Sequence, residues 1–153
     1  MNGRKLQTKQ EKKGKKGMKH RKTPKNFKKE AKMKNTHTDC LFCQIAQGDI
    51  PAEFVFENED VVAFRDIAPA APVHLLFVPK KHITSANDFA NGADATVVSR
   101  IFEAIAEVAK REGFAESGYR VISNCGKDGG QSVAHLHFHV LAGKSIRFPG
   151  FDQ

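Results

Sequence analysis

The sequence predicts an α+β domain with a mainly antiparallel five-stranded sheet and one long helix, preceded by a disordered basic tail. Three observations predict it. Residues 1–38 hold fifteen of the 25 Lys/Arg and two of the 17 Asp/Glu, a local net charge of +13, against −5 for residues 39–153. In the second part a single stretch carries a three-to-four-residue apolar period. The other apolar runs are short and end at turn-forming residues. Strands, then a helix, then strands is the order of an α+β fold rather than of repeated βα units. The 153 residues suit one domain, placed at 39–153.

The elements follow in order. "CLFCQIAQGDIP" (40–51) opens the domain, with a breaker at Gly48 and Pro51. "EFVFEN" (53–58) and "DVVAFRD" (60–66) read as two tightly joined strands, and "APAAP" (68–72) as a loop. "VHLLFVP" (73–79) is nearly all apolar and reads as a central strand ended by Pro79. In "ADATVVSRIFEAIAEVAKREG" (93–113), Val97, Val98, Ile101, Phe102, Ile105 and Val108 share one helical face, with Gly113 as the stop. "YRVISN" (119–124) is a fourth strand, "CGKDGG" (125–130) a loop, and "SVAHLHFHVLA" (132–142) the last strand.

The tail has only isolated large apolar residues, Leu6, Met18, Phe27 and Met33. Such a segment cannot offset its ordering entropy. It lacks the apolar core of a secretory signal and is Lys-rich rather than Arg/Ser-rich as transit peptides are. No run approaches a membrane span. Three cysteines, Cys40, Cys43 and Cys125, are too few for a disulfide scaffold, and a reducing, cytoplasmic setting is expected. The lysines suit a polyanion such as RNA or DNA, or a nuclear import signal. Alternatively, translation starts at Met33.

The chemistry concentrates in "GGQSVAHLHFHVLAG" (129–143). Three of the seven histidines, His135, His137 and His139, stand at alternate positions. On a helix His137 would leave the other two. On a strand all three share a face at roughly 6.5–7 Å spacing, and Ala134, Leu136, Phe138 and Val140 share the core face. One histidine on a strand is usually a polar surface or core residue. Three in register suggest a metal site or nucleophilic and acid–base chemistry. Gly126, Gly129 and Gly130 precede them, and glycine-rich backbone can turn N–H groups toward phosphate oxygens. Gln131 and Ser132 add side-chain donors. A phosphate cradle beside a neutral imidazole points to attack on phosphorus. Cys40 and Cys43 form a C-x-x-C pair, which read alone is a redox dithiol, half a zinc site, or chance.

"HLHFHVL" has the form His-x-His-x-His-x-x with apolar x, and resembles the signature of the histidine-triad (HIT) superfamily of nucleotide hydrolases and transferases. "CLFCQIAQGDIPAEFVFENEDVVAFRDIAPAAPVHLLFVPKKH" and "NCGKDGGQSVAHLHFHVLAG" are similar to its Hint branch, the histidine-triad nucleotide-binding proteins. The resemblance spans about residues 39–150 and leaves out the tail.

The resemblance implies a HIT-like fold and a purine nucleoside phosphoramidase. His137 would attack the α-phosphorus and form a nucleotidyl-histidine, which water then releases as a nucleoside monophosphate. His135 and His139 would orient it and share its proton, with His74 behind them. Ser132 matches the leaving-group contact, Asn124 and Gln131 the phosphate contacts, and Asp66 the ribose carboxylate. Phe42, Ile45, Ile50, Phe64, Ile67 and Leu76 would line the purine pocket, their other reading being plain core. No cofactor is required, since preorganised donors can stabilise the phosphoryl charge. Relatives with the C-x-x-C pair imply a structural zinc on Cys40, Cys43, His82 and His135, and Cys125 is then a small half-buried residue. The resemblance also implies a homodimer through the long helix and adjacent strand edge, with Phe148 where an aromatic reaches the partner's site. The competing functions are a deadenylase or dinucleoside-polyphosphate hydrolase of a sister branch, and a non-catalytic nucleotide-binding scaffold.

Overall fold

The structure is a computed structural model, and it describes residues 37–147. The basic tail (His37 and Thr38 excepted), Met33 and Phe148 lie outside the described residues. The elements are α1 (Leu41–Gln47), β1 (Phe54–Glu57), β2 (Val61–Arg65), β3 (Val73–Pro79), a 3-10 turn (Ala86–Asn91), α2 (Thr96–Arg111), β4 (Tyr119–Ile122) and β5 (Phe138–Ala142). The strands form one five-stranded sheet in the order β1-β2-β3-β5-β4. Every pairing is antiparallel. The α+β expectation, the five strands and the long helix are all present.

Alternation along the strands divides the core into two layers, one on each face of the sheet. Ala63, Leu75, Phe77, Leu136, Phe138 and Val140 pack with Val97, Ile101, Ile105 and Val108 of α2. Val62, Phe64, Leu76 and Val78 pack with Phe42 and Ile45 of α1. Central β3 is buried on both sides, which is why it is apolar almost throughout. Ile101, Ile105 and Val108 are at most 1% exposed, and burying each contributes about 1.5–3 kcal/mol. The start of α2 is held from one residue outside its cap, where Asp94 Oδ1 accepts from Thr96 N–H at 3.0 Å and from its hydroxyl at 2.7 Å. Lys110 and Arg111 fill its last turn, which suits the helix dipole. Gly113, at φ 80°, then reverses the chain.

Three readings need correction, and two short elements were not predicted. α1 and the 3-10 turn carry no periodic signal long enough to find from sequence. Phe102 is 47% exposed, with its ring against Phe138 at 5.9 Å. Ala104 and Ala109 are buried on the α2 core face instead. The last strand begins at Phe138, not Ser132, and Ala134 is exposed. Pro79 ends β3 without an N–H to extend the ladder, and the Leu136 N–H goes to Ile83 O at 2.6 Å. Beyond that point the chain is held by irregular bonds.

Candidate active site and metal centre

Of the three triad histidines only His139 lies in β5. His135 and His137 precede it in the irregular segment, yet the side-chain alternation survives. Leu136 and Phe138 enter the α2 layer, and the histidines turn to the α1 side, where Phe42 meets the His137 ring edge-on at 5.1 Å. His135 and His137 are 0% and 1% exposed. His137 and His139 are in ring contact at 5.0 Å. Backbone contacts hold the segment: His135 N–H donates to Val133 O at 2.8 Å, and the Ser123 hydroxyl donates to His137 O at 2.9 Å.

At one end of the row, His135 joins Cys40, Cys43 and His82, with all four donor atoms within 4.8 Å of one another. Cys40 caps α1, Cys43 lies in its first turn, and His82 lies just after β3. His135 Nε2 meets Pro79 O at 2.9 Å. A carbonyl only accepts, so this nitrogen carries the proton and Nδ1 keeps its lone pair. That Nδ1 faces Cys40 Sγ at 3.4 Å and Cys43 Sγ at 3.5 Å. His82 Nδ1 lies 3.2 Å from Cys43 Sγ. Burial, opposed in part by the Pro79 carbonyl, lowers the His135 imidazole to about 4, keeping it neutral. His82 is lowered as well, by burial and then by His37, whose ring stacks on it at 3.9 Å. Burial first, and then Cys40, push the Cys43 thiol up to about 12. Two neutral imidazoles and two sulfurs with converging donors suit a tetrahedral soft-ligand metal, and such an ion would supply the charge that ionises the thiols. The four residues could therefore hold a metal ion.

At the other end the groups form a directed chain. Ala70 N–H donates to His74 Nδ1 at 3.1 Å, so neutral His74 is protonated on Nε2. That Nε2 donates to His139 Nδ1 at 2.9 Å and lies 3.5 Å from Asp66 Oδ2. Asp66 Oδ1 accepts from Ala68 N–H at 2.8 Å, which orients the carboxylate. His139 is lowered by burial, then by His137 and His74, with Asp66 opposing. His137 Nδ1 meets His135 O at 2.7 Å. The Nδ1 proton is therefore fixed, and a singly protonated His137 ring has its lone pair on Nε2. An unprotonated Nε2 is what an imidazole nucleophile requires.

The glycine loop differs from a cradle of converging donors. Gly126 N–H donates to Gln131 Oε1 at 2.9 Å, and Gly130 N–H donates to Lys127 O at 3.0 Å. Gln131 Nε2 donates to Thr84 O at 2.7 Å and to Val133 O at 2.9 Å, so its side chain braces the loop. Gly129 is required by close approach, since a Cβ there would lie 2.4 Å from Cys125 O. Ser132 is exposed, and Asn124 and Cys125 are half-buried. Of the six pocket residues, Phe42, Ile45, Phe64 and Leu76 are buried between α1 and the sheet, and Ile50 packs against them. Ile67 is fully exposed. Surface recesses of about 440 and 430 Å³ lie along Asn58, Asp60 and Arg100, and along Tyr119, Arg120 and Lys144. No histidine lines either, so the functional reading rests on the histidine row.

Sequence reasoning missed four contributors. The Pro79 carbonyl and the Ala70 N–H are backbone groups with no residue-type signature. Ser123 stands on strand "YRVISN" as an ordinary polar residue. His37 could have been found, since it is the histidine just ahead of the C-x-x-C pair.

Among known proteins, the HIT domain model matches residues 47–146. The chain is 44% identical over 106 residues to a 13.2 kDa HIT-like protein of Azospirillum brasilense, covering 69% of this chain and 87% of that one. It is 38% identical over 108 residues to the purine nucleoside phosphoramidase of Escherichia coli K12, covering 71% and 90%. A solved histidine triad protein from Clostridium difficile is similar at 50% identity and a TM-score of 0.70, covering 72% of this chain and 96% of that one. A HIT family hydrolase from Legionella pneumophila is similar at 48% identity and a TM-score of 0.68, covering 72% and 97%. With that match spanning the sheet, α2 and all three triad histidines, the chain belongs to the HIT domain family.

Proposed function

We propose that this chain is a Hint-branch hydrolase of purine nucleoside phosphoramidates acting through a nucleotidyl-histidine on His137. The observation that carries the reading is the proton placement on His137: with Nδ1 bound to the His135 carbonyl at 2.7 Å, the Nε2 lone pair is available for in-line attack. Similarity to a purine nucleoside phosphoramidase supports the substrate class. Similarity to a HIT family hydrolase supports the reaction type.

In the proposed mechanism His137 Nε2 bonds to the α-phosphorus as the P–N bond breaks, and a proton passes to the departing amine. Water then attacks the nucleotidyl-histidine, the P–N bond to His137 breaks, and the nucleoside monophosphate leaves. His139, tied to His74 through Nδ1, keeps Nε2 as the proton-bearing atom on the His137 side of the row. Asp66 takes the ribose hydroxyls. Ser132 serves the leaving amine, Asn124 the phosphate, and Gln131 holds the loop that carries Ser132. The purine packs against the apolar edge around Phe42, Ile50 and Ile67, with Ile45, Phe64 and Leu76 behind. No cofactor takes part in the chemistry. A zinc ion on Cys40, Cys43, His82 and His135 would cross-link α1 to the sheet.

The chain would work as a homodimer in the cytoplasm. β4 is an edge strand, and Phe102 of α2 and Tyr119 of β4 are large apolar residues left exposed. No helix among the described residues is long and apolar enough to cross a membrane. The tail would bind RNA or another polyanion, or direct nuclear import. The test is hydrolysis of an adenosine phosphoramidate by the wild type and His137→Ala. Loss of at least about a thousandfold in kcat with AMP binding retained is expected. Activity in the variant would refute the nucleophile assignment. An inactive, folded wild type would turn the assay to dinucleoside polyphosphates and adenylated ends, and then to the scaffold reading.

A further inference from the structure

His135 belongs to both ends of the row. Its ring closes the Cys40–Cys43–His82 cluster, and its backbone carbonyl receives the His137 Nδ1 proton at 2.7 Å. α1 also belongs to both. It carries Cys40 and Cys43 at its start, and Phe42, between them, packs edge-on against the rings of His135 at 6.1 Å and His137 at 5.1 Å. Three segments are thus stitched together around one residue. The β3 end contributes Pro79 O to His135 Nε2, and the following loop contributes Ile83 O to Leu136 N–H and Thr84 O to Gln131. The cluster's imidazole nitrogens meet the α1 sulfurs at 3.2–3.5 Å, and thiols are weak hydrogen-bonding groups.

We propose that a zinc ion in this cluster positions the nucleophile: Cys40, Cys43 and His82 are positioning residues that act on His137 through the His135 carbonyl and through Phe42. Coordinate bonds would replace the weak sulfur contacts and fix the His135 ring between Pro79 and α1. The carbonyl that dictates the His137 tautomer would then have one orientation. Without the ion, the His135 carbonyl would be held less firmly, and the His137 proton could move to Nε2, the atom that must attack. The inference rests on His137 being the nucleophile, but its central readout does not depend on turnover.

The experiment uses the full chain as wild type, Cys43→Ser and His82→Ala, each stripped by chelator and then titrated with zinc alone. The His137 ring nitrogens are followed by ¹⁵N NMR, assigned by their loss in His137→Ala. Zinc stoichiometry, near-UV circular dichroism, AMP affinity, kcat and KM are measured on the same samples. In loaded wild type a single Nδ1–H tautomer is expected. Stripping should mix the tautomers and lower kcat about 10–100-fold, the range for groups that orient a reacting centre from behind. AMP affinity and KM should stay within about threefold. Zinc should restore the wild type but not Cys43→Ser. His82→Ala keeps three ligands, so its tautomer signal should follow occupancy at higher zinc, which covers the case of a stripped wild type that unfolds. An unchanged tautomer on stripping would overturn the proposal. So would failure to take up zinc, or AMP affinity, near-UV signal and kcat falling together, since that pattern is loss of fold. If loaded protein hydrolyses no phosphoramidate, the proposed function fails, and the nitrogen signals still decide the coupling.

Discussion

The two ends of the histidine row are built from the same residue type and do opposite things with it. At the Cys40–Cys43 end, His135 turns a bare nitrogen toward both sulfurs, with its protonated nitrogen tied to Pro79 O, and His82 Nδ1 faces Cys43 Sγ. Four donor atoms converge there and could hold a cation. At the Asp66 end, donors and acceptors run in one direction from Ala70 N–H through His74 to His139. That direction suits the proton transfer proposed for this end. Which nitrogen the backbone occupies leaves Nδ1 of His135 facing the sulfurs and ties Nδ1 of His137 to a carbonyl, the difference on which the proposed ligand and nucleophile roles rest.

The largest test strikes the residue between the two ends. Leu136 is 1% exposed in the α2 layer, so Leu136→Ala should cost about 2–5 kcal/mol in urea unfolding. Both ends should suffer together, in zinc affinity and in kcat. Damage to one alone would show that the row is not a unit.

The next test separates the ends by pH in zinc-free protein. His135 is lowered to about 4 from an unfolded value of about 6.5. The unfolded chain therefore binds the extra proton between these values. Stability rises with pH across that window and is lost as pH falls from about 6.5 to about 4, by about 3 kcal/mol. Urea melts at pH 7.5 and 4.5 measure it. His139, lowered as well, adds in the same direction. His135→Asn should remove most of the dependence, and a slope that survives it would belong to His82 and His139, both of which are lowered as well.

The smallest effect belongs to the proton chain. His74→Phe removes the donor to His139, which is worth roughly 1.5 kcal/mol, or about tenfold in kcat. Zinc stoichiometry should be unchanged. A fall in bound zinc would mean that the ends are not separable.

Much of this was legible in the chain. β3 matches the run Val73–Pro79, because a strand buried on both faces is apolar throughout. α2 follows its period, although the face is set further round than the large residues suggest, with Ala104 and Ala109 buried and Phe102 exposed. α1 was not legible, since seven residues are too short to show a period. Ile67 was assigned beside the pocket residues, but the turn after Asp66 carries its side chain into solvent. The glycine loop suggested a cradle, yet Gln131 and neighbouring carbonyls occupy two of its glycine N–H groups.

By itself the sequence determined which side chains could meet. Alternation at His135, His137 and His139 put three imidazoles on one side of the chain, and the C-x-x-C spacing put two sulfurs within four residues of each other. Both are consequences of local backbone geometry. Only the tertiary structure decided what each imidazole does. That depends on Pro79 O, His135 O and Ala70 N–H, which are main-chain groups identical in every residue. Their positions come from the packing of β3, α1 and the segment before β5, and they select the nitrogen that holds the proton.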